Sequence, residues 1–302
     1  MKAFLLVSYG APESSEDVVP FLQNLFRGKS VPPSRIAEVA EKYHTFAERT
    51  GHYSPLNNEC RELLQTFSPV HSVSPAYSGL RQVYWGNLFW HPLLPDVFAE
   101  MHRDGITEVV YFVSSAFDSH TANRRYDEAI SEANQPYLLK LSKFPLPYRY
   151  PLFVKAQANA LLTASAWAAL DSAEQVPRLT LFSAHSIPNE DTAAPDYVKQ
   201  LQESCTAVAD VCGVADWELV FQSRSGAPNR WLGPDIRDRI RDIAAEGKYS
   251  SVTVSPIGFF FENMETVNDL DIEVAELCKK LNIGYYRART VGTSPEIAQM
   301  LK

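Results

Sequence analysis

Short apolar runs alternate along the chain with longer segments whose apolar positions recur every three or four residues. The first run, "AFLLVSYG" at 3–10, is dense in strand-favouring side chains and ends on a Gly-Ala-Pro turn, which predicts a buried strand. "SSEDVVPFLQNLF" (14–26) predicts a helix started by Ser14 or Ser15, with acidic residues in its first turn. "SRIAEVAEKYHTFAE" (34–48) keeps a helical period throughout. A strand at 79–87, a helix closed by Gly105, a strand at 108–117 and a helix over "NRRYDEAISEAN" complete the first half. Pro145, Pro147 and Pro151 interrupt the pattern, and a long helix follows over 152–170. The alternation then resumes with strands at 178–184, 217–222 and 251–257 and helices at 195–212, 234–246 and 263–281.

Strand–helix alternation of this kind predicts an α/β fold with parallel sheets covered by helices. The expected architecture is two Rossmann-like domains, 1–148 and 149–302, each a parallel β-sheet flanked by helices, with the active-site cleft between them. No strand is followed by G-x-G-x-x-G, so no dinucleotide is expected. Ligands of open α/β sheets collect outside the carboxyl ends of the strands. Those ends supply Tyr9, Phe117 to His120, His185, Gln222 to Arg224 and Pro256 to Phe261.

Composition narrows the field. The 302 residues are 45% hydrophobic and 21% charged, an ordinary globular balance with ample core volume. A formal net charge of -8 disfavours nucleic acid, whose phosphates need a surface rich in Lys and Arg. No run of eighteen apolar residues occurs, so no transmembrane segment is expected, and "MKAFLLVSYG" is too short for a secretory signal. A cytoplasmic protein is therefore expected. Cys60, Cys205, Cys212 and Cys278 form no C-x-x-C pair and are expected to be small buried hydrophobes.

Two features carry candidate chemistry. "LTLFSAHSIP" (179–188) ends a strand on His185, which places an imidazole where ligands gather. "GFFFENMETVNDLDIEVAE" (258–276) spaces Glu265, Asp269 and Glu273 by four, so in an α-helix the three carboxylates share one face, drifting about 40° per step. Like charges so stacked cost a helix a few tenths of a kcal/mol per pair. The row begins at a strand's carboxyl end beside three phenylalanines, and aligned carboxylates suit a hard divalent cation.

"LTLFSAHSIP", "FQSRSGAPNRWLGPD" and "SPIGFFFENMETVNDLDIE", with "LLVSYGAPESSEDVVPFL" and "YSPLN" at the front, resemble the ferrochelatase family in order and spacing over nearly the whole chain. The closer likeness is to the compact bacterial enzymes that metallate coproporphyrin III. "VSYGAPE" resembles their opening, and "VYWGNLFWHP" with "SSAFDSHTANRRY" resembles actinobacterial members. The resemblance implies insertion of Fe2+, as a substrate, into a porphyrin within heme biosynthesis. It implies catalytic roles for His185 and Glu265 and an acidic metal row of His185, Glu265, Asp269 and Glu273. It places Tyr9 near the ring centre and Arg27, Tyr43, Ser54 and Tyr126 around propionates, with Lys42 where an arginine is common.

Some actinobacterial members hold an iron–sulfur cluster through a cysteine near position 123 and others close to the C-terminus. Residue 123 here is Asn and the last cysteine is Cys278, so no cluster and no obligatory cofactor is expected. Asn263 stands where the family has a histidine, and "FAERTGHYSP" is longer than the family's segment. A monomer in transient contact with a downstream heme-pathway enzyme is the expected assembly. The chemistry needs acceptors for two pyrrole protons, for which a neutral imidazole is suited near pH 7. Arg124, Arg125 and His120 are further candidates for the cleft, Phe259, Phe260 and Phe261 could wall it, and Trp231 is expected in the core. The competing readings are a protoporphyrin IX ferrochelatase, a chelatase for another metal or tetrapyrrole, and a non-catalytic porphyrin or heme carrier.

Overall fold

A computed structural model describes residues 1–28, 30–67, 80–119, 123–171, 177–224 and 228–302. Among these residues the strands form two four-stranded parallel sheets. In the first, β1 (Lys2–Ser8), β2 (Leu80–Asn87), β3 (Glu108–Val113) and β4 (Lys140–Lys143) lie in the order β2-β1-β3-β4. In the second, β5 (Arg178–His185), β6 (Trp217–Gln222), β7 (Ser251–Ser255) and β8 (Gly284–Arg287) lie in the matching order β6-β5-β7-β8. The expected α/β class with two helix-flanked parallel sheets is what forms.

Helices α1 (Ser15–Leu25), α2 (Pro33–Thr50), α3 (Leu56–Gln65), α4 (Leu94–Arg103) and α5 (Arg125–Asn134) belong to the first half. Helices α6 (Pro151–Asp171), α7 (Ala194–Cys212), α8 (Ile236–Glu246), α9 (Met264–Thr266), α10 (Ala275–Lys280) and α11 (Pro295–Leu301) belong to the second. The expected start of α1 is met at Ser14, whose N–H donates to the Asp17 carboxylate at 3.0 Å. No helix of the described residues is long and apolar enough to cross a membrane.

Several expectations need correction. α3 and α11 were not predicted, nor were β4 and β8. β4 is four residues long with lysines at both ends, and β8 is equally short, as suits the open edges of a sheet. β3 stops at Val113 rather than 117, because the Ser115 N–H turns back to the Val113 carbonyl at 2.7 Å and takes the chain out of the ladder. The acidic helix is α-helical only at its ends: Val267–Val274 forms a π-helix between α9 and α10. In its wider i→i+5 turn, a step of four residues falls just short of one revolution, so the carboxylate row still shares one side.

β1 and β5 are the inner strands that begin each sheet, and both are buried on both faces, which is why they read as largely apolar runs. Their carboxyl ends therefore stop at fixed depth. Beside β5, Gly258 packs so closely that a Cβ there would lie 2.6 Å from the Ala184 Cα, and its N–H donates to the Ser183 carbonyl at 3.0 Å. A contiguous apolar cluster joins the halves, holding Phe4 and Phe112 from one and Phe153, Phe182 and Phe260 from the other. The Phe112 and Phe260 rings meet at 5.0 Å, a contact worth roughly 0.5–1.5 kcal/mol beyond the area it buries.

Candidate active site

At the carboxyl ends of both sheets lies a cavity of about 410 Å³, within the ~300–1,000 Å³ usual for small-molecule sites. Residues of both halves line it. From the first come Tyr9, Tyr43, Ser54, Ser114, Ser115, Ser119, Arg125 and Tyr126; from the second, His185, Ile187, Pro188, Trp231, Phe259 to Phe261, Asn263 and Glu265. One wall is thus rich in hydroxyls, and the other couples an ionisable pair to aromatic and aliphatic surface.

His185 is the last residue of β5, held in register against Gln222 of β6. Its own carbonyl accepts the Tyr197 hydroxyl at 3.1 Å, and the Ser186 N–H continues the ladder to the Gln222 carbonyl at 2.8 Å. The ring Nδ1 lies 2.5 Å from the Ser186 carbonyl, which can only accept, so Nδ1 carries a proton and Nε2 faces the cavity. Nε2 stands 3.6 Å from Oε2 of Glu265, as an ion pair.

Glu265 lies in the short α9, begun by Asn263. The Asn263 side chain accepts the Thr266 N–H at 2.9 Å, and the Asn263 N–H donates to the Thr266 hydroxyl at 2.9 Å. The residue standing where the family has a histidine therefore lines the cavity and caps the helix that carries the carboxylate.

Charge couples these groups. Burial disfavours the imidazolium, but the Glu265 carboxylate, the Ser186 carbonyl and Asp269 outweigh it and raise the His185 pKa to about 9. The same pairing holds Glu265 below the usual carboxylate range, against the burial that would raise it. Both shifts favour the imidazolium–carboxylate form of the pair. The two side chains keep 37% and 48% exposure, so cavity water screens the pair and allows it to exchange protons.

The acidic row is extended rather than gathered. Asp269 accepts the Ser223 hydroxyl and lies 3.5 Å from the Gln222 amide nitrogen, and burial raises its pKa to about 6. Glu273 is exposed and pairs with Arg237 at 3.1 Å. No three of His, Cys, Asp or Glu among the described residues converge to hold a metal ion, so His185, Glu265, Asp269 and Glu273 do not make one coordination set.

The expected propionate holders divide. Tyr43, Ser54 and Tyr126 line the cavity, as does Tyr9, whose ring packs edge-on to Tyr126 at 5.7 Å. Arg27 is exposed and turns to the Asn24 side chain at 2.6 Å, while Lys42 is exposed beside Glu38 at 4.0 Å. Neither lines the cavity, because both occupy solvent-facing helical positions or their flanks. Arg124 is exposed near Thr192, whereas Arg125 enters the cavity. Trp231 lines the cavity instead of sitting in the core. Phe117 is buried in the core, and Gln222 to Arg224 are not among the residues lining the cavity, Arg224 pairing with Asp235 at 3.3 Å. His120 lies outside the described residues, as do 225–227 of "FQSRSGAPNRWLGPD".

One cluster escaped the sequence reading. Glu262, three residues before Glu265, is buried and accepts from Arg287 at 2.8 Å, the Thr290 N–H at 3.0 Å and the Thr266 hydroxyl at 2.9 Å. Arg287 also pairs with Asp271 at 2.5 Å. Glu59 of α3 accepts the Glu262 N–H at 2.9 Å and meets Arg289 at 3.3 Å, tying the first half to this loop. Its signal in sequence was slight, since its members lie up to 230 positions apart.

Two parallel sheets sharing a cavity with an imidazole–carboxylate pair define a chelatase-type α/β protein. Solved structures agree on the fold: SirB from Bacillus subtilis with Fe3+ superposes with a TM-score of 0.60 at 12% identity, covering 99% of this chain and 92% of that one. The sirohydrochlorin chelatase SirB from Bacillus subtilis subspecies spizizenii, in complex with cobalt, gives 0.56 at 14%, covering 99% and 92%. The Ferrochelatase family model matches residues 1–302. The chain is 38% identical to a ferrochelatase of Rhodopirellula baltica, over 99% of this chain and 84% of that protein. It is 36% identical to a coproporphyrin III ferrochelatase of Nocardia farcinica, over 100% and 86%. The chain belongs to the ferrochelatase family, and it is a porphyrin metal chelatase of heme biosynthesis.

Proposed function

We propose that this ferrochelatase inserts Fe2+ into coproporphyrin III, with His185 and Glu265 as the reacting groups. The observation that carries the reading is the 3.6 Å His185–Glu265 pair, set in a cavity whose facing wall offers Tyr9, Tyr43, Ser54 and Tyr126. Relatives at 34–36% identity bear the name coproporphyrin III ferrochelatase, which supports that substrate over protoporphyrin IX. In this reading residues 1–148 and 149–302 are two domains that hold the macrocycle from opposite sides.

The chemistry follows from the pair. A proton fixed on Nδ1 by Ser186 leaves Nε2 as the ring atom able to accept a pyrrole proton or bind the incoming metal. The Nε2 proton of the imidazolium passes to solvent through the partly exposed cavity before the ring accepts another, and an arriving dication favours that loss by repulsion. Glu265, held ionised, accepts protons or binds the metal beside it. Phe259, Phe260 and Phe261 exclude water from one side, and Asp269 and Glu273 lead outward along the helix toward solvent.

Resident cofactor chemistry is not part of the reading. The position of the family's cluster cysteine holds Asn123, a buried amide that donates to Phe117 and Ser115, and Cys278 is buried among Leu270 and Val274, so these residues do not fit an iron–sulfur cluster. Anaerobic ferrous insertion followed by absorbance, with coproporphyrin III and protoporphyrin IX side by side, tests the proposal. Faster turnover of coproporphyrin III is expected. Preference for protoporphyrin IX overturns the substrate, and binding of both without turnover replaces the enzyme with a carrier.

A further inference from the structure

Four half-buried arginines of the second half have a carboxylate, while a fifth, Arg178, lies over the Tyr286 ring at 5.5 Å and donates to the Ser251 hydroxyl. Arg224 pairs with Asp235 at 3.3 Å, Arg237 with Asp235 at 3.2 Å, Arg239 with Glu218 at 2.6 Å and Arg287 with Glu262 at 2.8 Å. Arg125, at the start of α5, is also half-buried and, unlike those five, lines the cavity. Its guanidinium lies over the Phe89 ring at 4.4 Å, donates to the Leu25 carbonyl at 3.4 Å and reaches the Tyr9 hydroxyl. No carboxylate of the described residues is among its partners.

A guanidinium has five N–H donors and keeps its charge at any working pH. Partly desolvated against apolar surface, such a charge is costly without an anion beside it. Two neutral oxygen acceptors and an aromatic face fix the orientation of Arg125 without neutralising it. Among the residues that line the cavity it is the Lys or Arg present, and Ser114, Ser115 and Ser119 stand on the same wall. Arg27 and Lys42, the cations expected to meet the substrate, face solvent.

We propose that Arg125 is the residue by which the cavity recognises an anionic carboxylate substituent of its substrate. The fork geometry of a guanidinium matches a carboxylate through two parallel hydrogen bonds. The assignment rests on the porphyrin reading above, and coproporphyrin III carries four such groups. Loss of one charge-assisted contact in a partly wet site weakens binding about tenfold.

Metal-free binding tests this apart from turnover, by quenching of porphyrin fluorescence with coproporphyrin III and with its uncharged tetramethyl ester in mild detergent. Arg125→Gln should bind the free acid about tenfold more weakly and the ester as the wild type does. Arg125→Lys, which keeps charge but loses the fork, should recover part of the loss. Thermal melting of each variant establishes that it is folded. Wild-type affinity of Arg125→Gln for the free acid overturns the assignment, and so does an equal loss for acid and ester, which marks a packing role. If the wild-type protein binds neither porphyrin, the porphyrin reading itself falls, and that result is visible before any variant is made.

Discussion

The two sheets follow one strand order and deliver opposite chemistry at the same place. Tyr9 follows the end of β1 in the first, and His185 ends β5 in the second. Around Tyr9 pack Phe89 at 4.9 Å, Tyr126 and Arg125, and the Glu265 carboxylate adds to the burial that raises its pKa. Burial raises the Tyr9 pKa, and it holds Tyr43 and Tyr126 as neutral phenols as well. Around His185 the neighbours are carboxylates, and the ring is driven to carry charge. One topology thus provides a wall of phenols and hydroxyls beside Arg125 and a wall built around the His185–Glu265 ion pair. Strand order places a side chain at the cavity, and its neighbours decide what it does there.

A smaller contrast lies within the reacting wall. Glu262 and Glu265 are three residues apart on one segment, yet Glu262 is locked by Arg287, Thr290 and Thr266, whereas Glu265 pairs with His185 among the described residues. The first carboxylate holds the segment down, and the second keeps 48% of its side chain exposed at the cavity.

The division can be broken from either side. The largest effect belongs to His185→Ala, which should lower ferrous insertion by about 10³-fold, in line with loss of a positioned acid–base group, while porphyrin affinity measured by fluorescence changes little. Near-normal turnover in that variant would place the reacting group elsewhere. Next comes Glu262→Ala, which leaves half-buried Arg287 with Asp271 as its carboxylate. The expected loss is about 3 kcal/mol of stability, read from denaturant unfolding, because breaking a buried pair strands its partner's charge.

The smallest effect concerns Glu59, whose pKa burial raises to about 7 in the folded chain. A raised carboxylate binds its proton more tightly when folded, so stability falls as pH climbs from about 4.5 to about 7. Glu59→Gln should therefore match wild type in melting temperature near pH 4 and exceed it near pH 8. Parallel melting curves at both pH values would refute the sign.

Much of this was legible in the chain. The inner strands read clearly because they are buried on both faces and are dense in apolar, strand-favouring residues. His185 and Glu265 followed from a strand end and a residue row. The edges β4 and β8 did not, since four-residue strands with polar ends give no period to detect. The π-helix was hidden because four-residue spacing looks the same in either helix type. Arg125 was inseparable from Arg124 and less favoured than Arg27 and Lys42, because which cation turns inward depends on Phe89 and Leu25, both remote in sequence. Glu59 and Glu262 meet only through tertiary packing.

The coupling of His185 to Glu265 is the centre of the reaction as read here, and the pH dependence of kcat/KM for ferrous insertion tests it most directly, in the wild type and in Glu265→Gln. An imidazole must lose its proton before it can accept one, so wild-type kcat/KM should climb with pH toward a limb near about 9. Without the carboxylate that limb should move down toward the ordinary histidine value of 6.5, even as the maximal rate falls. A limb that stays in place in Glu265→Gln would contradict the coupling and remove His185 as the titrating acceptor.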